Sequence, residues 1–215
     1  MSIWDELVEE VSRSTNNARI LPLSHNRGPE LAASIHVSEK STLGSMIMNC
    51  GGILVDHGWL RLLAGGTDLL PDVIAASGGG TPTSHIIVGH DILGGLFAID
   101  GGGLGINSGE VCYFAPDSLE WEGLNIGHTS FIYWALSGPN YHKFYSSWRW
   151  EGWEKEIQEF PLDRGIFVFP FLCSVGGTPD WETLTRKDVP ISELHALYGG
   201  GIHQLAEQMD NGVAE

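Results

Sequence analysis

Four apolar runs lie close together in the middle of this chain: Ser84–Val88, Leu96–Ile99, Glu110–Phe114 and the alternating Leu119-Glu120-Trp121-Glu122. Each gap between them is shorter than the dozen or so residues that a parallel crossover requires, so neighbouring strands must run antiparallel. Asp100-Gly101-Gly102-Gly103 closes the second run with a tight-turn signal. In the last run the alternation predicts a half-buried strand, with Leu119 and Trp121 inward and Glu120 and Glu122 outward. This stretch alone commits the chain to an antiparallel meander.

Helices flank it. Ser2 to Asp5 is an S-x-x-D start signal, and Trp4, Leu7, Val8 and Val11 follow on one stripe, predicting a first helix over 2–12. Residues 18–37 read as irregular, broken by Leu21-Pro22 and Arg27-Gly28-Pro29. A second helix is expected over 38–50, stopped by Gly51-Gly52, then a short strand at Ile53–Val55 and a long connection over 64–82. From 129 to 159, Phe131, Trp134 and Ala135, then Tyr141, Phe144, Tyr145 and Trp148, then Trp150, Trp153 and Ile157 repeat at helical spacing. Ile166–Phe169 is apolar throughout, as in a strand covered on both faces, although Pro170 limits how central it can be. Ile191, Leu194 and Leu197 predict a helix between Pro190 and Gly199, and Ile202, Leu205, Ala206 and Met209 a last one. The expected organisation is one α+β domain over 1–215, an antiparallel sheet with helices packed on it and a helical tail over 191–212.

Charge narrows the function. With Lys+Arg 11 against Asp+Glu 27, the net charge is −16, which opposes binding to a phosphate backbone and makes nucleic acid an unsuitable partner. No Lys or Arg occurs from Leu62 to His142, a stretch that carries Asp68, Asp72, Asp91, Asp100, Glu110, Asp117, Glu120 and Glu122. Such a stretch is either a solvating surface or a face that steers a basic protein partner. No run is long and apolar enough for a membrane helix. The N-terminal residues offer neither a basic nor an apolar segment, so no secretory leader is expected. Cys50, Cys112 and Cys173 are widely spaced and form no C-x-x-C, which favours reduced thiols and a cytoplasmic setting.

Catalytic patterns are scarce. Gly101-Gly102-Gly103-Leu104-Gly105-Ile106 departs from a dinucleotide loop at its sixth position and leads into a strand, so no cofactor is expected there. Walker A, G-x-S-x-G and H-E-x-x-H patterns are absent, and no metal site is predicted. On paper His85, His90 and Asp91 could line a cleft, Cys112 could join His90 and Asp91 as a nucleophilic site, and Asp100 with Glu120 could form a carboxylate pair. The binding candidates are Arg149, Trp150 and Trp153 in Trp148-Arg149-Trp150-Glu151-Gly152-Trp153, together with Asp68, Asp72, Asp100, Glu120 and Glu122. Arginine between tryptophans stacks well and, when exposed, is typical of interaction hot spots; buried in helical stripes, the same residues are core.

The series Thr42-Leu43-Gly44, Gly51-Gly52-Ile53-Leu54, Gly58-Trp59-Leu60-Arg61, Gly94 to Gly102, Tyr113 to Glu122, Phe144-Tyr145 and Trp148 to Trp153 resembles an uncharacterised bacterial family known as a domain of unknown function. The resemblance runs from about Ser38 to Pro190 and brings no catalytic residues. The order of helix, Asn49-Cys50-Gly51-Gly52 turn, strand Leu96–Asp100, strand Gly109–Tyr113 and helix Ser130–Leu136 is also similar to the SUKH superfamily of immunity and interaction domains. The 64–82 connection and the tryptophan-rich segment depart from that pattern. The SUKH likeness implies a non-catalytic, immunity-like module that meets a basic, toxin-like protein through its acidic stretch. The alternatives are a small hydrolase or a small-ligand-binding protein with a His/Asp pocket.

Overall fold

Seven strands form one antiparallel sheet in strict sequence order, and each neighbour in the chain is a neighbour in space. The computed structural model describes residues 2–80, 82, 84–175 and 177–201. The strands are β1 (Arg19–Leu21), β2 (Gly52–Val55), β3 (Leu60–Leu63), β4 (His85–Asp91), β5 (Leu96–Asp100), β6 (Glu110–Phe114) and β7 (Trp121–Gly127). The short connections of the central meander dictate this order, as the sequence predicts.

One face of the sheet is purely a packing surface. Its central row runs Ile20, Ile53, Leu62, Gly89, Phe97, Tyr113 across six strands. Ile53, Leu62 and Phe97 are fully buried. Phe97 lies 4.8 Å from Phe131 of α5 (His128–Ser137). Burying a ring of this size stabilises by roughly 1.5–3 kcal/mol. Alongside α5 pack α1 (Ile3–Arg13) and α3 (Thr42–Asn49). Ser2 caps α1 with a reciprocal bond to Asp5, which is the start signal read from the sequence.

The chain then wraps round the end of the sheet through α6 (Pro139–Phe144) and α7 (Trp153–Ile157) and crosses to the other face. There β8 (Arg164–Phe169) and β9 (Thr185–Pro190) form a separate two-stranded hairpin, followed by α8 (Ile191–Ala196). The backbone N–H of Ile166 donates to the Ile92 carbonyl at 2.7 Å, fastening this cover to the sheet.

Several expectations are corrected. Residues 18–37 contain β1 and a short helix, α2 (Gly28–Ser34), with Pro29 in its first turn, where proline is tolerated. The second helix begins at Thr42 rather than Ser38, because Ser41 caps it by accepting from the Gly44 N–H. The 64–82 connection carries one turn of helix, α4 (Val73–Ala76), capped by Asp72. Leu119 lies in a turn with φ +57°, so the fourth meander strand starts at Trp121 and runs on to Gly127. The 129–159 region is three short helices rather than continuous stripes. β8 is not covered on both faces: Phe169 is 51% exposed, because a two-stranded hairpin has only one sheet to lean on. The helix predicted from Ile202 lies outside the described residues. Among the described residues no helix is long and apolar enough to cross a membrane.

Candidate functional site

The sheet face beneath the C-terminal hairpin is unlike the other. Register places Arg19, Leu54, Arg61, His90, Leu96, Phe114 and Trp121 in one cross-strand row spanning all seven strands, and residues directly opposed share a face. Two of them, Arg61 and His90, are ionisable, adjacent and buried, at 1% and 2% exposure. Buried polar groups of this kind require an explanation.

A β-bulge puts His90 there. Ile87 pairs with Ala98 and Gly89 with Phe97, so Val88 is the extra residue. In a regular strand His85 and Ile87 would face one way and His90 the other. The inserted residue reverses the alternation, and His85, Ile87 and His90 face the same side.

These three side chains line a cleft of about 440 Å³, closed by Leu63, Leu96 and, from α8, Ile191 and His195. The His90 and His195 rings meet edge to face, with centroids 5.6 Å apart. Each has a buried Nε2 without a hydrogen-bond partner among the described residues. The His90 Nδ1 sits 3.4 Å from the Asp91 carbonyl oxygen. A carbonyl only accepts, so this contact is a hydrogen bond in the tautomer protonated on Nδ1, in which Nε2 presents a bare lone pair. Burial, and then the neighbouring Arg61 charge, hold His90 well below the ordinary histidine range. Burial followed by Arg61 pushes His195 down to about 4. Both rings are therefore neutral at physiological pH. No group of three or more potential metal ligands is found among the described residues.

The catalytic arrangements drawn on paper are not assembled. Asp91 points away from His90 and accepts from the Tyr113 hydroxyl at 2.7 Å, the Tyr145 hydroxyl at 3.4 Å and the N–H groups of Leu93 and Gly95. The Cys112 thiol faces the Glu110 carbonyl oxygen. The Asp100 carboxylate is consumed by the glycine loop that follows it, accepting from the N–H groups of Gly102, Leu104 and Ile106. Burial opposes its ionisation, but these donors outweigh that and hold its pKa below the usual range. Asp100 thus shapes the turn that follows β5. Glu120 and Glu122 stand exposed at the start of β7, and Asp68 stands exposed in the 64–82 connection. Asp72 pairs with Arg27 at 3.4 Å while it caps α4.

Arg149, Trp150 and Trp153 come together, but in the interior. Trp150 is 5% and Trp153 7% exposed, so their rings pack in the core rather than on the surface. The Arg149 guanidinium lies 4.4 Å from the Trp153 ring and within 6 Å of Trp59, Tyr141 and Tyr145. It donates to the buried Asp56 carboxylate.

The chain matches a family described as "Protein of unknown function DUF2625" over residues 1–194. The chain belongs to that family. Membership agrees with the motif series read from the sequence and extends it toward the N-terminus. Two relatives are similar over most of their length. One is YbfG of Escherichia coli (strain K12), described as uncharacterized, which is 31% identical over 196 residues, or 90% of this chain and 88% of its own. The other, an uncharacterized protein of Haemophilus influenzae, is 29% identical over 175 residues, or 78% and 76%. No solved structure matches, and nothing among these matches carries the SUKH likeness.

Sequence reading missed His195, which lies 105 positions from His90 in the chain and meets it only because the C-terminal hairpin folds back. It also missed Arg61 as a buried cation. The one available signal was a charged residue inside the apolar run Trp59-Leu60-Arg61-Leu62-Leu63.

Proposed function

We propose that this protein binds a small, largely apolar molecule bearing an O–H or N–H donor, in the cleft between β3–β5 and α8. The observation that carries this reading is the pair of buried, neutral imidazoles whose Nε2 atoms lack partners among the described residues. A buried acceptor left unpaired costs about 1–3 kcal/mol, and a ligand donor removes that cost. The walls are aliphatic and the volume lies in the range of ligand pockets. The nearby carboxylates, Asp91 and Asp100, are tied to other groups, which favours binding over acid–base chemistry. The three free cysteines support a reducing, cytoplasmic setting.

Phenol and benzene are suitable probes, followed by ligand-observed NMR. Phenol is expected to bind roughly three- to tenfold more tightly than benzene, the value of one net hydrogen bond. Ser192 is exposed on the α8 rim of the cleft; Ser192→Trp should block both, and His90→Leu should abolish the preference. Equal binding of phenol and benzene, or binding indifferent to Ser192→Trp, would sink the reading.

A second reading is recognition of a basic, toxin-like protein. It rests on the exposed carboxylates of Asp68, Asp117, Glu120 and Glu122, none of which pairs with a Lys or Arg among the described residues. It predicts a complex that forms in low salt and dissociates as salt is raised. Binding to a basic partner that survives Glu120→Lys combined with Glu122→Lys would count against it.

A further inference from the structure

On the same sheet face, on the other side of Arg61, lies a smaller cleft of about 230 Å³. Its polar lining is Asn17, Arg19, His57, Arg61 and Gln158, with no carboxylate. In a chain of net −16 with only 11 basic residues, a cavity that gathers two arginines and no acid is exceptional. Acidic chains place their few cations beside carboxylates by default, and most of the other arginines here do pair that way.

Arg61 is the telling residue. It is 1% exposed and has no carboxylate within ion-pair distance among the described residues. Among the described residues its guanidinium bonds only to main-chain carbonyls: Nη1 donates to Leu162 at 2.9 Å and to Arg164, and Nη2 to Pro161 at 3.4 Å. Its Nε–H is buried and has no partner among the described residues. Buried charges are normally paired, because removing an ion from water costs several kcal/mol.

The backbone around the cleft is also unusual. Asn17, Asp56 and His57 are three of the six non-glycine residues with positive φ among the described residues, at +46°, +55° and +60°. Such conformations are rare, and they cluster at ligand-binding sites. Here they hold the Asn17 amide within 3.0–3.1 Å of the His57 ring nitrogens at the cleft wall.

We propose that this cleft binds a small oxyanion, the carboxylate or phosphate group of a metabolite. Arg61 supplies the fixed charge at its floor, and Arg19 and the Asn17 and Gln158 amides close on the ligand from the rim. Guanidinium and amide N–H groups are the donors that match a planar or tetrahedral oxyanion. The inference is independent of the histidine cleft and survives its failure.

Inorganic phosphate and succinate, titrated separately into the full chain with chloride matched, test it. The readouts are calorimetry and the Arg61 Nε–H signal in ¹⁵N-resolved NMR, assigned by its loss in Arg61→Met. Saturable binding of at least one oxyanion, with a shift of that signal, is expected, and the arm that binds more tightly names the group. Arg61→Met should abolish it. Because that variant also removes core bonds, Arg19→Glu and Gln158→Glu, both at exposed positions, give the decisive comparison. Each should weaken binding roughly tenfold or more. No saturable binding of either anion, an effect reproduced by chloride, or unchanged affinity in both rim variants overturns the proposal.

Discussion

Arg149 and Asp56 form an ion pair that joins the tryptophan-rich segment to the β2–β3 turn, 93 positions apart in the chain. Both side chains are mostly buried, at 12% and 7% exposure. Burial raises the Asp56 pKa, and the Arg149 charge works against that shift. Removing one partner strands the other charge in a poorly solvated site, which costs about 3–5 kcal/mol. Arg149→Met should therefore lower the unfolding free energy by about 3 kcal/mol or more in urea titrations. Asp56→Asn, which keeps a residue tolerant of the left-handed conformation, should cost comparably. A double variant should recover part of the loss. Strict additivity would mean that the pair is not coupled.

Asp91 is anchored from the packing face by Tyr113, whose hydroxyl donates to it at 2.7 Å. Hydrogen bonds to a charged group contribute about 1.5–3 kcal/mol. Tyr113→Phe should destabilise by that amount while leaving the fold intact. Gly95→Ala should do more harm, because an added Cβ would strike both the Asp91 carboxylate and the Tyr113 ring. A wild-type urea midpoint for Gly95→Ala would show that this packing is wrong.

These residues show where sequence reading reaches and where it stops. The meander was legible because its turns are local: Asp100-Gly101-Gly102-Gly103 encodes its own geometry, down to the N–H groups that Asp100 accepts. The first helix was legible for the same reason, through Ser2 and Asp5. Leu119 falls in a turn and not in the strand, because alternation over four residues cannot be told from a turn that happens to alternate. The His90–His195 contact was beyond reach. It depends on a bulge at Val88, which periodicity reads as regular strand, and on a hairpin that brings α8 back over the sheet. The tryptophan stripe is legible as core from its helical spacing, whereas the Arg149–Asp56 pair beside it is not, because its partners lie 93 positions apart.

The pH dependence of stability follows from histidines that burial keeps neutral. His128, by burial, and His195, by burial and then Arg61, are each pushed down to about 4. In the unfolded chain a histidine titrates near 6.5. Between roughly pH 6.5 and pH 4 the unfolded state thus binds protons that the folded state refuses, and stability falls as pH falls through that window. Each site contributes up to roughly 3 kcal/mol to the loss. Asp91 acts in the opposite sense, since burial raises its pKa and acid relieves the cost of its charge. Urea midpoints measured from pH 7.5 to 4.5 should decline in the wild type. They should decline less steeply in His195→Gln. An identical slope in that variant would show that His195 is not protected from protonation.

The three thiols should differ sharply in reactivity, since the thiolate is the reacting species and must be reached by reagent. Cys50 closes α3 in the core, and burial pushes its pKa up to about 12, against a smaller opposing effect of the Gly52 N–H. Cys112 is equally inaccessible, and burial, Asp100 and Glu110 all raise its pKa. Cys173 sits partly exposed on the turn after β8; burial raises its pKa too, so access rather than ionisation sets it apart. Native protein treated with a maleimide at pH 8 should label at Cys173 alone, and denatured protein at all three. Cys173→Ser should then resist native labelling. Mass-spectrometric mapping that finds Cys50 or Cys112 modified at the rate of Cys173 would mean that the sheet and α3 open far more readily than their packing implies.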